Sequence, residues 1–535
     1  MKTGKFVFIC VMLTCLVFPL FAGGQQSGAA SGLSEIGFNA AGYPIVSKPY
    51  TFSVSVNKRA FHGVFANMEV SQNMEKKTGV TINWIEVPEA SFRERTNLML
   101  ASGDLPDVFG DGMQDSDIVR YGPSGTLIPI ENYIDRYAPL IKDLFSKRPE
   151  VRQYVTAPDA HIYTLPRIQE LAHRVNPDNM FINKTWMDKL GLAMPNTYDE
   201  FHSVLTAFKE RDPNGNGRRD EIPLSFIGSF GVGGTNDISS LFAGFGMHDN
   251  GNHIMVSNKK VYYTANTPEF RNALVYFNKL WADGLIDPEA FTHTVSQSIS
   301  KGMEPDMLYG VFFDWFDEIT VGDDRARTNY VVLPPMIGVD GKRHWNMHPN
   351  ALMGRSGWAV TNKMKNPEVA VRWADACYEW EASMELCYGA FGISLEMRGN
   401  QIIMKDPPAG MSIDDVRYLN SPVHNTPYAV YETDHRRMNF GLQHIRKFER
   451  LDVYRQYFPP LEDIYPQVFF LSEEESELAI IRTELNDYVN QMRAKFIIGT
   501  ESISTGWNAY VAAINQIGVN RYLELYQKAL DRYYK

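Results

Sequence analysis

An α/β protein larger than one sheet, with a helical C-terminal portion, is the fold class this sequence predicts, and three observations predict it. Strand-like and helical periodicities alternate between residues 51 and 109, three later helices carry their own start signals, and helix formers dominate from about Ser472. The composition agrees: 535 residues, 44% hydrophobic and 21% charged, belong to an ordinary globular chain with room for roughly two to four domains. Low-complexity disorder, collagen and a disulfide-stapled miniprotein are excluded. A net charge of −11 with no basic block argues against nucleic acid and against an anionic membrane surface as partners.

The elements follow in order. Lys2 and Lys5, the apolar run Phe6 to Ala22 and the small residues Ala22-Gly23-Gly24 read as an export signal over residues 1–24. A lipid anchor at Cys15 is the alternative, but Thr14 before it and the apolar residues after it make a poor lipidation motif. A Gly-rich flexible lead-in is expected over 25–48. Thr51 to Val56 alternates as a strand, Asn67 to Lys77 is helical up to Thr78-Gly79, and Val80, Ile82 and Trp84 alternate again. Phe92 to Ala101 is helical, with Phe92, Thr96 and Met99 on one face, and Asp107-Val108-Phe109 is a third short strand. This β-α-β-α-β order predicts a parallel sheet, whose ligands sit beyond the carboxyl ends of the strands. Asp107 and the Gly110-Asp111-Gly112 turn are expected at such an end.

Thr197 to Glu200 forms a capping box ahead of Phe201, Leu205 and Phe208. Thr267-Pro268-Glu269 opens a helix with the core stripe Phe270, Leu274, Phe277 and Trp281, closed by Gly284. Asn366-Pro367-Glu368 opens another in the same way. Strand-like runs lie at Tyr309 to Phe313, Asn329 to Leu333 and Trp358 to Thr361, and no repeat at a fixed period is visible. Cys377 and Cys387 either pair in an oxidising compartment or stand as two buried thiols.

The most specific local motif is Asp212-Pro213-Asn214-Gly215-Asn216-Gly217-Arg218-Arg219-Asp220-Glu221. Oxygen side chains at positions 1, 3 and 5 with Gly at 6 open an EF-hand-type loop, and a calcium ion needs six to eight oxygens aimed at one point. Position 12, the bidentate Glu of an EF-hand, is Pro223 here. The loop is therefore either an abbreviated calcium site closed by Asp220 and Glu221, with a structural ion, or an Asx/Gly turn without metal.

Aromatic residues gather near strand ends, in Phe312 to Phe316 and at Trp345, Trp358, Tyr388 and Phe391. An exposed ring packs against the C–H face of a sugar, yet each ring taken singly is more often core. Nucleophile-elbow, phosphate-loop, zinc-protease and dinucleotide fingerprints are missing, His344 and His348 lie in a loop-like stretch, and nothing specific marks a hydrolytic carboxylate pair.

Taken together, Leu98 to Asp107, Ile162 to Arg167, Ile182 to Trp186, Leu190-Gly191-Leu192, Pro195-Asn196-Thr197, Glu200-Phe201, Ala207 to Lys209, Asp212 to Pro223, Asn366-Pro367-Glu368 and Tyr388-Gly389 resemble one family in content and order. It is family 1 of the extracellular solute-binding proteins serving ATP-driven (ABC) importers, in its large oligosaccharide-binding branch, which includes alginate- and xylo-oligosaccharide-binding proteins.

The resemblance covers the chain from about residue 50 and implies a two-lobed periplasmic-binding-protein type II fold, with ligand in the cleft between the lobes. The lobes are expected at 49–172 with 341–385 and at 173–340 with 386–535. It implies a calcium ion held by Asp212, Asn214, Asn216, the Arg218 carbonyl, Asp220 and Glu221. It implies a non-enzymatic, monomeric, periplasmic protein that takes an oligosaccharide and presents it to permease subunits. A secreted carbohydrate-active enzyme with a structural calcium, and a sensor subunit, are the other readings. The cleft residues expected are Asp107, Asp111, Tyr163 and Arg167 from the first lobe and its crossover, Asp314 and Trp315 from the second, and with them Trp345, Trp358 and Tyr388.

Overall fold

The computed structural model describes residues 32–535 except 177, 232–235, 348–351, 356, 409 and 441. The export signal, Cys15 and His348 therefore lie outside the described residues. Three sheets organise the chain. The first runs Ala359–Val360, Val108–Phe109, Tyr50–Lys58, Val80–Pro88, with Tyr50–Lys58 parallel to both of its neighbours. The second runs Tyr330–Val332, Asn179–Asn183, Tyr309–Asp314, Ile222–Ser225. Each sheet anchors its own large apolar core, so the molecule is two-lobed.

The third sheet is the crossover between lobes. Arg167–Gln169 is its central strand, flanked by antiparallel Met353–Gly354 and parallel Tyr428–Val430. Three passages of chain thus meet side by side where the lobes join. A strand of three residues carries few ladder bonds, which suits a connection that bends.

The local signals act as expected in most places. Val54 and Val56 bury on the core side of their strand, and the helix Glu69–Thr78 stops at Gly79, whose φ of +72° suits glycine. Thr197 and Thr267 each accept the backbone N–H three residues on, at 3.2 Å in both cases. Asn366 departs from this: its side chain leaves the helix Pro367–Ala376 uncapped and donates instead to the Tyr50 hydroxyl at 3.0 Å. Trp281 is half-buried at the rim, because Leu280 takes the inward position. Leu100 likewise takes the buried position beside Phe92 and Thr96, with Met99 only partly covered.

The cores also redraw the expected lobes. Ile45 and Val46 are buried with the first sheet, and the Ile45 N–H reaches the Thr78 carbonyl at 2.7 Å, so the later part of the expected flexible lead-in is packed structure. Leu395, Ile402, Tyr428 and Met438 also join the first core, although everything after 386 was expected in the second lobe. Trp345 belongs to the second core, not the first. Cys377 and Cys387 are separate buried thiols, each raised above the usual range by burial.

The C-terminal portion is three helices, Ser472–Ile498, Ile503–Ile517 and Val519–Tyr533. Leu478, Leu485, Val489 and Phe496 of the first pack into the core that holds Phe270 and Phe277. The helices therefore thicken the second lobe, and the segment just before them, Tyr465 to Leu471, runs along the junction with the first.

Candidate ligand cleft and cation loop

Between the lobes lies a cavity of about 760 Å³. Met113 to Ser116, beyond the carboxyl end of Val108–Phe109, and Tyr154 form its first-lobe wall. Met353, Gly354 and Arg355 of the crossover form its floor, and Tyr465 to Val468, Phe470, Glu475, Arg482, Tyr526 and Asn252 form the second-lobe wall. Its volume lies within the range of small-ligand sites.

Arg355 knits these walls together. Its guanidinium, in a side chain only 5% exposed, pairs with Asp115 at 2.6 Å and donates to the Gln467 carbonyl at 3.0 Å. It is also sandwiched between the rings of Phe469 at 3.9 Å and Tyr154 at 4.4 Å. Asp115 feels burial first, then the opposing pull of Arg355 and the repulsion of Glu475 across the cavity, and its pKa is raised above the ordinary aspartate value. Arg482 lies 3.3 Å from Glu475. The cavity thus presents two matched ion pairs, amide groups from Gln114, Gln467 and Asn252, and aromatic faces. That inventory suits sugar hydroxyls and the C–H faces between them.

Beside it stand Asp111 and Arg167, 3.5 Å apart and mostly covered. Arg167 also donates to the His424 carbonyl, closing first-lobe loop onto crossover strand. Gly110 must be glycine here, since a Cβ would sit 2.4 Å from the Asn425 carbonyl oxygen. Trp315, 38% exposed, is the second-lobe aromatic left open at the carboxyl end of Tyr309–Asp314. Its position is set by Asp314, whose carboxylate accepts the Trp315 N–H at 2.6 Å and the Thr320 hydroxyl. Burial raises the Asp314 pKa, and its oxygens serve its own turn, which makes it a support rather than a contact.

The other expected cleft residues are structural. Asp107 precedes its strand, so it lies at the amino end, where it accepts the Ser53 N–H and hydroxyl at 2.8 Å each. Tyr163 is buried in the first lobe and donates to Asp159 at 2.7 Å. Trp345 is fully covered, stacked on Tyr454 at 4.6 Å and bonded to Asn176. Trp358 stacks on Trp373 at 4.8 Å inside the first core, and Tyr388 is buried with its hydroxyl 2.8 Å from His435 Nε2. Burial is the common reason for the four rings, and for Asp107 it is the hold that Ser53 has on its carboxylate.

The loop at Asp212 is wound tightly around a carboxylate. Asp212 itself has φ +43°, and Gly215 and Gly217 have φ +80° and +76°. Asp212 accepts the N–H groups of Gly215, Asn216 and Gly217 at 2.8–3.1 Å, which draws the loop around its carboxylate. Asn214 and Asn216 turn their amides onto Asp220 at 3.0–3.1 Å, and Arg218 pairs with Asp220 at 3.0 Å and with Asp306. Glu221 Oε1 is buried without a hydrogen-bond partner. Burial, then the charges of Asp212 and Asp220, raise the Glu221 pKa. An orphaned carboxylate oxygen in a loop that carries Asp212, Asn214, Asn216 and Asp220 suits a hard cation, which would take the place now held at Asp220 by the Asn amides and Arg218. Asp287, Glu289 and His293 also converge, but the Lys301 ammonium sits between the two carboxylates at 2.7–3.0 Å and fills that role.

Comparison with known proteins follows the geometry. The family model for bacterial extracellular solute-binding proteins matches residues 60–382. The fructooligosaccharide ABC transporter substrate-binding protein FusA of Streptococcus pneumoniae is 33% identical, covering 100% of this chain and 99% of that protein. The structure of FusA in complex with kestose aligns with a TM-score of 0.71 at 32% identity, over 90% of this chain and 99% of that one. An EF-hand mutant of FusA in complex with fructo-nystose aligns with a TM-score of 0.70 at 33% identity, with the same shares covered. With two lobes, a crossover sheet and an interlobe cavity, and with these matches, the chain belongs to the bacterial extracellular solute-binding protein family.

Proposed function

We propose that this chain is the exported substrate-binding component of an ABC importer, capturing an oligosaccharide between its lobes and presenting the closed form to membrane permease subunits. The observation that carries the reading is the cavity itself, whose walls come from both lobes and whose floor is the crossover. A ligand there touches every part at once only when the lobes are together, so binding favours closure. FusA, similar over the whole length, makes fructooligosaccharides the first ligands to try. A calcium ion held by Asp212, Asn214, Asn216, the Arg218 carbonyl, Asp220 and Glu221 would brace the second lobe, and the orphaned Glu221 oxygen supports that assignment.

The test is a calorimetric titration and thermal melt of the chain from residue 25, in calcium, with kestose and nystose. At about a thousand times its Kd a ligand adds roughly 4 kcal/mol of stability. One-to-one binding with the sugar recovered intact supports the receptor. Cleaved sugar would give the case to a carbohydrate-active enzyme, and no response to any oligosaccharide would remove the sugar assignment.

A further inference from the structure

The crossover sheet has a second cavity besides the ligand cavity. Met353 lines the ligand cavity, while Leu352, just before it, lines another of about 460 Å³. The Leu352 carbonyl accepts the Gln169 N–H at 2.9 Å, so the backbone is extended there, and neighbouring residues of an extended strand point to opposite faces. The second cavity therefore lies on the back of the crossover, away from the ligand. Glu170 and Leu171, just past the central strand, line it too, and so do Glu432 and Arg455.

Glu432 and Arg455 belong to different lobes. Glu432 opens the helix Glu432–Arg437, and Val430 and Met438 on either side of it are buried in the first core. Arg455 follows the helix Leu442–Tyr454, whose Tyr454 is buried in the second core and whose Arg446 and Arg450 pair with Glu318 of that lobe. Across this junction four side chains form one network. Arg455 Nη2 donates to both oxygens of Glu432, at 2.8 and 2.7 Å, and Arg436 Nε donates to Glu432 at 2.8 Å. Arg436 crosses the junction as well, holding both oxygens of Asp452 at 2.7 and 3.1 Å. The Glu432 backbone N–H donates to Glu170 Oε2 at 3.0 Å, and Glu170 Oε1 takes Arg148 at 2.6 Å. The network is thus fastened to the chain leaving the central crossover strand.

We propose that Glu432, Arg436, Asp452 and Arg455 are a latch on the back of the hinge. It holds the lobes in the arrangement of this structure, in which Arg355 reaches both Asp115 and Gln467 around the ligand cavity. The latch thereby raises the binding-competent fraction of the ligand-free protein. The inference goes beyond the receptor reading and rests on it only for its sugar readout. A single exposed ion pair does little, but bidentate pairs joined in a network do more, and small differences shift a balance between lobe arrangements. Rotating the lobes about the crossover moves Glu432–Arg437 against Leu442–Tyr454 and lengthens these pairs. The pairs of Arg446 and Arg450 with Glu318 lie within one lobe and are carried along unchanged. Apparent affinity scales with the competent fraction, so four residues on the face away from the ligand set part of it.

The experiment compares the exported chain with the double variant Arg436→Met, Arg455→Met and with Arg455→Lys, by small-angle scattering without ligand and by titration with kestose. The latch predicts a wider range of lobe separations in the double variant and kestose binding weakened about threefold to tenfold, with Arg455→Lys nearer the parent. Salt screens the parent's network, so raising it brings the parent's scattering and affinity toward those of the double variant. That salt series needs no mutation and decides the matter even where the double variant folds poorly. Ligand-free scattering that neither the double variant nor salt alters, a narrower range of separations, or kestose affinity unchanged or tighter in the double variant would overturn the latch. A parent that binds no sugar would remove the receptor reading, and the ligand-free scattering would still decide the latch.

Discussion

Trp315 stands at the end of one strand-like run and Trp358 at the start of another, and the fold puts them to opposite uses. Trp358 lies fully covered against Trp373, so its contribution is packing, and Trp358→Ala should cost about 3–5 kcal/mol in a denaturant melt. Trp315 is held open by the Asp314 turn. Trp315→Ala should leave the melt near that of the parent and weaken oligosaccharide binding about tenfold or more, the range for loss of one stacked ring. Equal effects of the two changes on stability would refute this division. Asp115 adds a pH dependence. Its raised pKa means that it gains a proton at a higher pH than an ordinary aspartate, losing a hydroxyl acceptor and the charge that pairs with Arg355. Affinity should therefore fall on mild acidification, and the profile of Asp115→Asn should be flat over the same range. Sequence reading named Arg167, Asp111 and Trp315 as cleft residues and passed over Asp115 and Arg355, which line the cavity. No local pattern distinguishes a cleft arginine from a surface one, because the partners, Tyr154, Gln467 and Phe469, are far away along the chain.

At the scale of elements, the Asp212 loop was legible because its chemistry is local. Oxygens at alternate positions and glycines at the turns are both cause and signature, and the folded loop has the positive φ values that the glycines permit. Calcium should raise the melting temperature, and EDTA or Asp212→Ala should abolish the increase. Calcium needs Glu221 ionised, whereas burial and its acidic neighbours favour the protonated form. Protons therefore compete with the ion, and the calcium-dependent increase should shrink on acidification, over a window that opens at a higher pH than an ordinary glutamate would give. A calcium effect that is constant across that window, or an absence of calcium binding, would dismiss Glu221 as a ligand. The helix starts at Thr197 and Thr267 were equally readable. Asn366 opens its helix where expected too, but without a side-chain cap, because its amide is drawn away by Tyr50, hundreds of residues earlier.

At the scale of the molecule, the chain's helical C-terminus could be recognised from composition, but not its place beside the cleft. That place depends on Leu478, Leu485 and Phe496 finding a core built from residues near 270, and on Arg355 reaching Gln467 and Phe469. The return of residues 395–438 to the first core is long-range in the same sense. Arg355 is where the parts meet, and Arg355→Ala should weaken ligand binding while broadening the range of lobe separations seen by small-angle scattering. An unchanged affinity would mean that the cavity does not need its tie.

The central claim, that ligand is gripped by both lobes in this cavity, is tested most directly by hydrogen–deuterium exchange with and without saturating oligosaccharide. The account predicts slowed exchange in peptides spanning residues 110–116, 314–316 and 465–475 together, with the Asp212 loop unaffected when calcium is constant. Protection confined to one lobe, or lying outside the cleft, would contradict it.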